Sequence, residues 1–192
     1  MKNEDQILKI KATVLYLLGQ APEGMDYIHL LKMMYFAQRE HLAIYGLPLM
    51  DDSFYARKHG PVPTLTYKVL KCSECGGSFD NPVLEGFRNA IEIEQGDGHQ
   101  IVKAKEKYDE DELSKSNLRV LDDCLLKYKD IDAYELGELS HDSAFRKAKK
   151  VADRTGEDVK MTLYDIAAAG GAKPGMLAVI KERQWIEAKL NN

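Results

Sequence analysis

The chain has 192 residues, of which 44% are hydrophobic and 30% charged, and its formal net charge at pH 7 is −4. This length suits one domain with a substantial core, and the acidic balance argues against a dedicated nucleic-acid clamp, because phosphate contacts need a clustered basic face. No apolar run approaches the roughly 20 residues that span a bilayer, the N-terminus lacks the layout of a signal peptide, and three cysteines fit a reducing compartment, so we expect a cytoplasmic protein without a membrane partner.

The first half of the chain predicts a short helix over 4–18 and then a central helix that Asp26 caps and Gly46 and Pro48 end. Two adjacent rows of residues recur at helical spacing along the central helix. Such a wide apolar arc predicts a helix that is buried on most sides. The rows are Tyr27, Leu30, Met34, Ala37, His41 and Ile44, and Ile28, Leu31, Tyr35, Leu42 and Tyr45.

Three strands are predicted in the middle of the chain. One lies near 53–58, and the alternation of Ile91 and Ile93 with glutamates predicts a hairpin near 90–104. A lone hairpin is marginal, so we expect one small antiparallel sheet of these three strands packed on the central helix. A helix from Thr64 to about 71 follows the proline-rich segment, and 71–82 is predicted to be an irregular surface loop.

The C-terminal half is predicted to be helical after an acidic connector at 106–112. Helix-capping residues recur at its helix starts, namely Asp132, Asp142 and the pair Thr162 and Asp165. Gly170 and Gly171 are expected to separate the last two helices. The predicted ranges are 113–128, a helix through 136–139, 143–151, 162–170 and 174–190. Together these elements predict an α+β, mostly helical single domain over 1–192.

One long motif carries a resemblance to a known family. The run 32–63 contains Lys32-Met33-Met34-Tyr35-Phe36-Ala37 and ends in His59-Gly60-Pro61-Val62-Pro63. It resembles the SocA-like antitoxin domain, also called the Panacea domain, which has phage-associated relatives. Two shorter stretches, 139–145 and 163–171, resemble later motifs of the same family. Phe145 departs from the pattern, since Trp is more common there.

The resemblance implies an antitoxin that neutralises a co-encoded toxin by direct protein–protein binding, and some relatives are implied to deliver their toxin to a protease. We expect the loop 72–80, the hairpin and the C-terminal helix to contact the partner, because pattern constrains them least. The oligomeric state stays open. The motif positions are interpreted as structural or partner-facing: Tyr35, Phe36, Arg39, Tyr55, His59, Gly60, Pro61, Val62, Pro63, Leu139 and His141.

A zinc site is the only cofactor that the sequence raises. Cys72 and Cys75 have the spacing of a zinc knuckle, but a structural site needs four ligands. Cys124, His99 and His59 are the obvious additions, and none forms a second pair. We therefore favour two reduced thiols in a loop and predict no cofactor.

A catalytic interpretation rests on His59 or His141. A general base needs an orienting partner and a substrate within reach, and the sequence has no nucleophile elbow, phosphate-binding glycine loop or zinc-protease motif. We predict instead that His59 satisfies buried backbone groups at a strand end and that His141 is a buried, hydrogen-bonded residue at a helix junction. The chain is therefore not expected to be an enzyme.

A DNA-binding regulator is the other alternative, because 163–186 has a helix–glycine–helix layout. The second helix begins with apolar residues where base-reading polar residues should stand. Its cations, Lys181, Arg183 and Lys189, alternate with glutamates. We therefore expect no nucleic-acid partner.

Overall fold

The computed structural model describes residues 3–190, without the side chains of Glu187 and Leu190. Helix α1 (Glu4–Gly19) is followed by the central helix α2 (Tyr27–Tyr45). Asp26 caps α2, and Gly46 ends it in the left-handed conformation at φ 66°. Every residue from Leu30 to Gln38 is buried, so the predicted core helix is confirmed.

Seven further helices lie in the described part of the chain: α3 (Thr64–Glu74), α4 (Pro82–Asn89), α5 (Lys115–Tyr128), α6 (Ala133–Leu139), α7 (Ser143–Thr155), α8 (Leu163–Ala169) and α9 (Pro174–Leu190). The prediction of an irregular loop over 71–82 is wrong at both of its limits. Helix α3 continues to Glu74, and α4 begins at Pro82. The Asn81 side chain accepts from the backbone N–H of Leu84, and Pro82 fits the first turn, which is the start signal that the sequence interpretation missed.

The strands form two sheets rather than the single predicted sheet. Strands β1 (Met25–Asp26), β4 (Ile91–Gln95) and β5 (Gln100–Ala104) make one sheet in the order β1-β5-β4. Strands β2 (Phe54–Arg57), β3 (Gly60–Pro63) and β6 (Val159–Lys160) make the other in the order β3-β2-β6. Strand β2 cannot join the hairpin because β3 and β6 occupy both of its edges.

Two polar side chains hold the connection between α2 and α3 in place. The Gln38 amide oxygen accepts from the backbone N–H of Leu49 at 2.9 Å. The Asp52 carboxylate accepts from the N–H groups of Leu65 and Thr66, each at 2.9 Å, and so caps α3. The residue before α3, Pro63, makes no side-chain cap of its own. These contacts fix the β2–β3 hairpin against the central helix.

The core is continuous around α2, which packs against α1, α5, α6, α8 and β3. The predicted α+β single domain is confirmed. Among residues 3–190, no helix combines the length and apolar composition needed to cross a membrane.

Candidate functional site at the motif junction

The long sequence motif meets the helix α6–α7 connection in a largely buried polar cluster, which we call the motif junction. It is built by α2, the edge strand β3 and the first turn of α7. Its members are Lys32, Tyr35, Arg39, Gly60, Pro61, Ser140, His141 and Asp142.

Asp142 is the centre of hydrogen bonding in the motif junction. Its carboxylate accepts from the Tyr35 hydroxyl at 2.8 Å and from Arg39 Nη1 at 3.0 Å. It also accepts from the backbone N–H groups of Ala144 and Phe145 and thereby caps α7. Burial, with the neighbouring Asp142, raises the pKa of Tyr35, so this hydroxyl stays a donor. One carboxylate therefore joins the central helix to α7.

Aromatic rings surround the Arg39 guanidinium. Its central carbon lies 4.7 Å from the centroid of the Phe36 ring, which in turn stacks on Tyr128 at 4.4 Å. Arg39 and Asp142 side chains are only 15% and 13% exposed. A desolvated ion pair of this kind is costly to break by removing one partner.

Lys32 is the most unusual group of the motif junction, because it is 3% exposed and no carboxylate pairs with it in the described part of the chain. Its Nζ donates to the carbonyl oxygen of Pro61 at 3.0 Å. Burial lowers the pKa of Lys32 to about 7. Gly60 has φ +104°, and a Cβ there would lie 2.6 Å from both Lys32 Nζ and Ser140 Oγ. Only glycine fits this turn without displacing the amine.

His141 is held in the motif junction mainly by stacking. Its ring lies 4.4 Å from that of Phe145 at an angle of 14°, and Nδ1 lies 3.5 Å from a Glu138 carboxylate oxygen. Nε2 is buried and has no hydrogen-bond partner among the described residues. Burial lowers the pKa of His141, and the nearby Lys32 adds to this effect. The prediction of a buried, hydrogen-bonded histidine is therefore wrong: the side chain is 27% exposed.

His59 does not satisfy buried backbone groups as predicted. It lies exposed in the two-residue turn between β2 and β3, because Arg57 pairs with Gly60 and the two intervening residues project into solvent. The structure thus brings Tyr35, Arg39 and Pro61 into one buried region and leaves His59 at its rim.

The remaining motif positions are dispersed around this cluster. Tyr55 is half-buried in β2, where it pairs with Val62 and Lys160. Val62 and Pro63 are buried in β3, whereas Leu139 is 46% exposed at the end of α6. Whether these positions are structural or partner-facing stays a prediction.

The two cysteines of the possible zinc site lie at the C-terminal end of α3. Cys72 is half-buried and Cys75 exposed, while Cys124 is buried in α5. Residues 3–190 hold no group of three or more metal-binding side chains arranged around one point. The cofactor prediction itself stays untested.

Helix α9 presents much of its surface to solvent. Ile180 is buried, whereas Val179, Trp185 and Ile186 are 44–59% exposed. Charged residues of both signs are exposed beside these apolar side chains, and such a mixture suits protein contacts better than phosphate contacts. The expectation that the chain has no nucleic-acid partner stays a prediction.

The sequence interpretation did not single out Lys32 or Gln38, and of the roles of Asp142 it predicted only the cap of α7. Both Lys32 and Gln38 are polar residues inside a run that is otherwise apolar on every face. A polar residue that cannot reach solvent needs a hydrogen-bond partner inside the protein, and that conflict was the available signal.

Comparison with known families places this geometry in context. No curated protein and no solved structure gave a significant match to the chain. The family described as "Antitoxin SocA-like, Panacea domain" matches residues 30–145, which include every member of the motif junction. The chain therefore belongs to the SocA-like antitoxin family with a Panacea domain.

Proposed function

We propose that this chain neutralises a co-encoded toxin by binding it directly. The family match over residues 30–145 is the observation that carries this proposal, since it gives a general antitoxin role. An antitoxin that acts by binding needs a surface that accepts the toxin, and a rigid fold lowers the ordering cost of that binding. The motif junction and the exposed helices supply features that support each requirement.

The contacts of the motif junction support the rigid fold. Arg39 and Tyr35 both donate to Asp142, and Lys32 donates to Pro61, so these polar groups are directed inward. Large apolar side chains remain exposed on other helices. Leu126 and Tyr134 are 79% and 78% exposed, and α9 adds an exposed tryptophan. Aromatic residues of this kind commonly anchor protein interfaces.

Growth rescue tests the proposal most directly. The protein of the adjacent reading frame is expressed in cells with and without this chain, and the two proteins are tested for co-purification. We expect growth arrest by the neighbour, rescue by this chain and a stable complex. A harmless neighbour, or rescue without any complex, contradicts neutralisation by direct binding.

Delivery to a protease is a second route by which binding can neutralise a toxin. The half-life of the neighbouring protein separates the two routes once a complex has been found. Sequestration leaves that half-life unchanged or longer when this chain is present. Delivery shortens it, and the shortening is lost in cells that lack the protease.

A further inference from the structure

Among residues 3–190, the β4–β5 hairpin has one edge that no other strand covers. Backbone bonds from Lys105 N–H to the Ala90 carbonyl and from Gly96 N–H to the His99 carbonyl flank the ladder. In an antiparallel ladder every second residue exchanges hydrogen bonds with its partner strand. The residues that bond to β5 are therefore Glu92 and Glu94, whose ladder partners are Lys103 and Ile101.

By the same alternation, the N–H and C=O groups of Ile91, Ile93 and Gln95 face away from β5. In the described part of the chain, β4 pairs with β5 alone. Helices α3 and α4 pack against β4, and exposure rises from the buried Ile91 through the half-buried Ile93 to the exposed Gln95. The edge is therefore accessible mainly toward the turn. An uncovered row of backbone donors and acceptors is a template for another strand.

The charge beside this edge is negative. The Glu92 and Glu94 side chains are exposed on one face of the strand, and Lys103 Nζ lies 2.7 Å from a Glu94 carboxylate oxygen. The bond to Glu94 raises the pKa of Lys103, and Glu23 and Glu92 add to this effect. Glu94 pairs with Lys103 and Glu92 lies opposite it in the ladder, so two carboxylates face one lysine, and the excess negative charge attracts a basic side chain on an incoming strand.

A second copy of this chain is a poor occupant of the same edge. If two β4 strands paired in antiparallel fashion about Ile93, each Glu92 would lie opposite a Glu94, on both sides of the centre. Like charges directly opposite each other destabilise a strand pair. In this register the glutamates disfavour self-pairing, whereas a strand with basic residues at the facing positions pairs with them.

We propose that the open edge of β4 binds an extended segment of the toxin, which carries lysine or arginine opposite Glu92 and Glu94. This inference rests on the proposed antitoxin function and specifies its docking surface. The added strand exchanges backbone hydrogen bonds with Ile93 and Gln95, while its basic side chains pair with the glutamates. Strand addition of this kind takes affinity from the backbone and specificity from alternate side chains.

A proline substitution tests the backbone part of the proposal. Gln95→Pro removes an outward N–H and leaves the β4–β5 ladder intact, because proline is tolerated where the N–H of an edge strand faces solvent. Gln95→Ala is the matched control, since it removes the same side chain and keeps the N–H. With the protein of the adjacent reading frame as probe, we expect Gln95→Pro to raise Kd by about tenfold or more and Gln95→Ala by about twofold or less.

A charge reversal tests the electrostatic part. Glu92→Lys is expected to raise Kd several-fold and to weaken the dependence of binding on salt. Glu157→Lys is the control, because Glu157 is also exposed and lies outside this sheet. Thermal unfolding of all four variants checks that each is folded at the temperature of the binding measurement.

Hydrogen exchange gives an independent readout of the same edge. In the free protein the outward amides of Ile93 and Gln95 should exchange faster than the inward amides of Glu92 and Glu94. On complex formation the outward amides should become protected.

The outcomes separate this inference from the proposed function. If the wild-type chain neither binds nor rescues, the antitoxin proposal has failed. If it binds and rescues while folded Gln95→Pro keeps its affinity and the outward amides stay unprotected, only the β4 inference is overturned. If Gln95→Pro instead dissociates a homodimer of this chain, the edge is a self-interface and the inference is likewise overturned.

Discussion

The two hairpins of this domain share an antiparallel ladder and differ in what their outer edges offer. In the β2–β3 hairpin the outer edge carries Pro61 and Pro63, which have no N–H, and Lys32 occupies the Pro61 carbonyl. In the β4–β5 hairpin the outer edge keeps its N–H groups between two exposed glutamates. Edge strands invite pairing unless proline, charge or burial prevents it. The first hairpin is therefore closed, and the second is open only to a partner of suitable charge.

Two helix-capping aspartates, one beside each sheet, also differ in the burial and charge of their partners. Asp142 caps α7 and also pairs with the largely buried Arg39. Asp26 caps α2 and pairs with His29, whose Nδ1 lies 2.5 Å from its carboxylate. The aspartate beside β3 thus pairs with a buried arginine, which is permanently charged. The aspartate beside β1 pairs with a partly exposed histidine, which titrates.

The largest effect is expected when the Asp142 carboxylate is removed, and Asp26 provides the comparison. Asp142→Ala leaves a buried arginine unpaired and an uncapped helix, and should lower the free energy of unfolding by about 3–5 kcal/mol. Asp26→Ala removes a cap and the partner of a half-buried histidine, and should lower it by about 1–2 kcal/mol. Urea unfolding at neutral pH measures both. Equal losses of unfolding free energy in the two variants would contradict the difference between the two aspartates.

Two glycines with positive φ test the closed hairpin against the open one. Gly60→Ala should lower the free energy of unfolding by about 2–4 kcal/mol, because φ +104° strains alanine and its Cβ meets Lys32 and Ser140. Gly98, in the β4–β5 turn at φ +81°, has no atom of a described residue, its chain neighbours aside, within 4 Å of an added Cβ. Gly98→Ala should therefore lower it by only about 1 kcal/mol, from backbone strain alone. Thermal and urea unfolding of both variants decide the comparison.

Because of Lys32, the free energy of unfolding should increase as the pH rises. Its pKa in the folded protein is about 7, below the ordinary 10.5, so between these values the unfolded chain binds more protons. Stability should rise with pH across this window and be flat below it. Relative to Lys32→Met, the wild-type protein should gain on the order of 2 kcal/mol between about pH 6.5 and about pH 9. A constant difference between the two proteins at all pH values would show that Lys32 is not the titrating group.

His29, which lies beside β1, should give the free energy of unfolding an opposite and smaller dependence on pH. Its hydrogen bond to Asp26 raises its pKa although burial lowers it, and Nε2 lies 2.7 Å from the Ile131 carbonyl oxygen. Both ring nitrogens therefore face acceptors, as an imidazolium requires. This stabilisation is present below the unfolded value of 6.5 and is lost as pH rises through the higher folded value.

His29→Gln provides the comparison for that dependence. The advantage of the wild-type protein over His29→Gln should be largest below the unfolded value of 6.5 and should shrink as the pH rises above it. The lower limit of the window is set by Asp26, whose pKa is held below its usual value by hydrogen bonds from His29 in spite of its burial. An advantage that grows with pH would contradict an imidazolium at this position.

Much of the helical framework could be predicted because the local signals were strong. Asp26, Asp142 and Thr162 occupy the capping positions that their sequence contexts indicated. The first helix ends within one residue of its predicted limit. Helix α4 was missed because its eight residues are too few for a clear apolar period.

The sheet arrangement could not be predicted in the same way. Strands β1 and β6 have two residues each and no period at all, so nothing local indicates which edge they cover. The assignment of β2 to the wrong sheet follows directly, since strand partners far apart in sequence leave no local trace. The exposure of His59 was missed for a related reason. The pairing of Arg57 with Gly60 makes His59 part of a two-residue turn, and this pairing is not visible in the local sequence.

The sequence by itself determined most of the helices, the burial of the central helix and the family of this protein, because apolar period, capping residues and a long motif are local properties of the chain. Tertiary structure alone decided which polar groups meet. Lys32 reaches Pro61 and Arg39 reaches Asp142 only when elements 29 and 103 residues apart pack together. It also decided which strand edge is covered and which is left open, because hydrogen bonds between strands depend on packing and not on the residues of one strand.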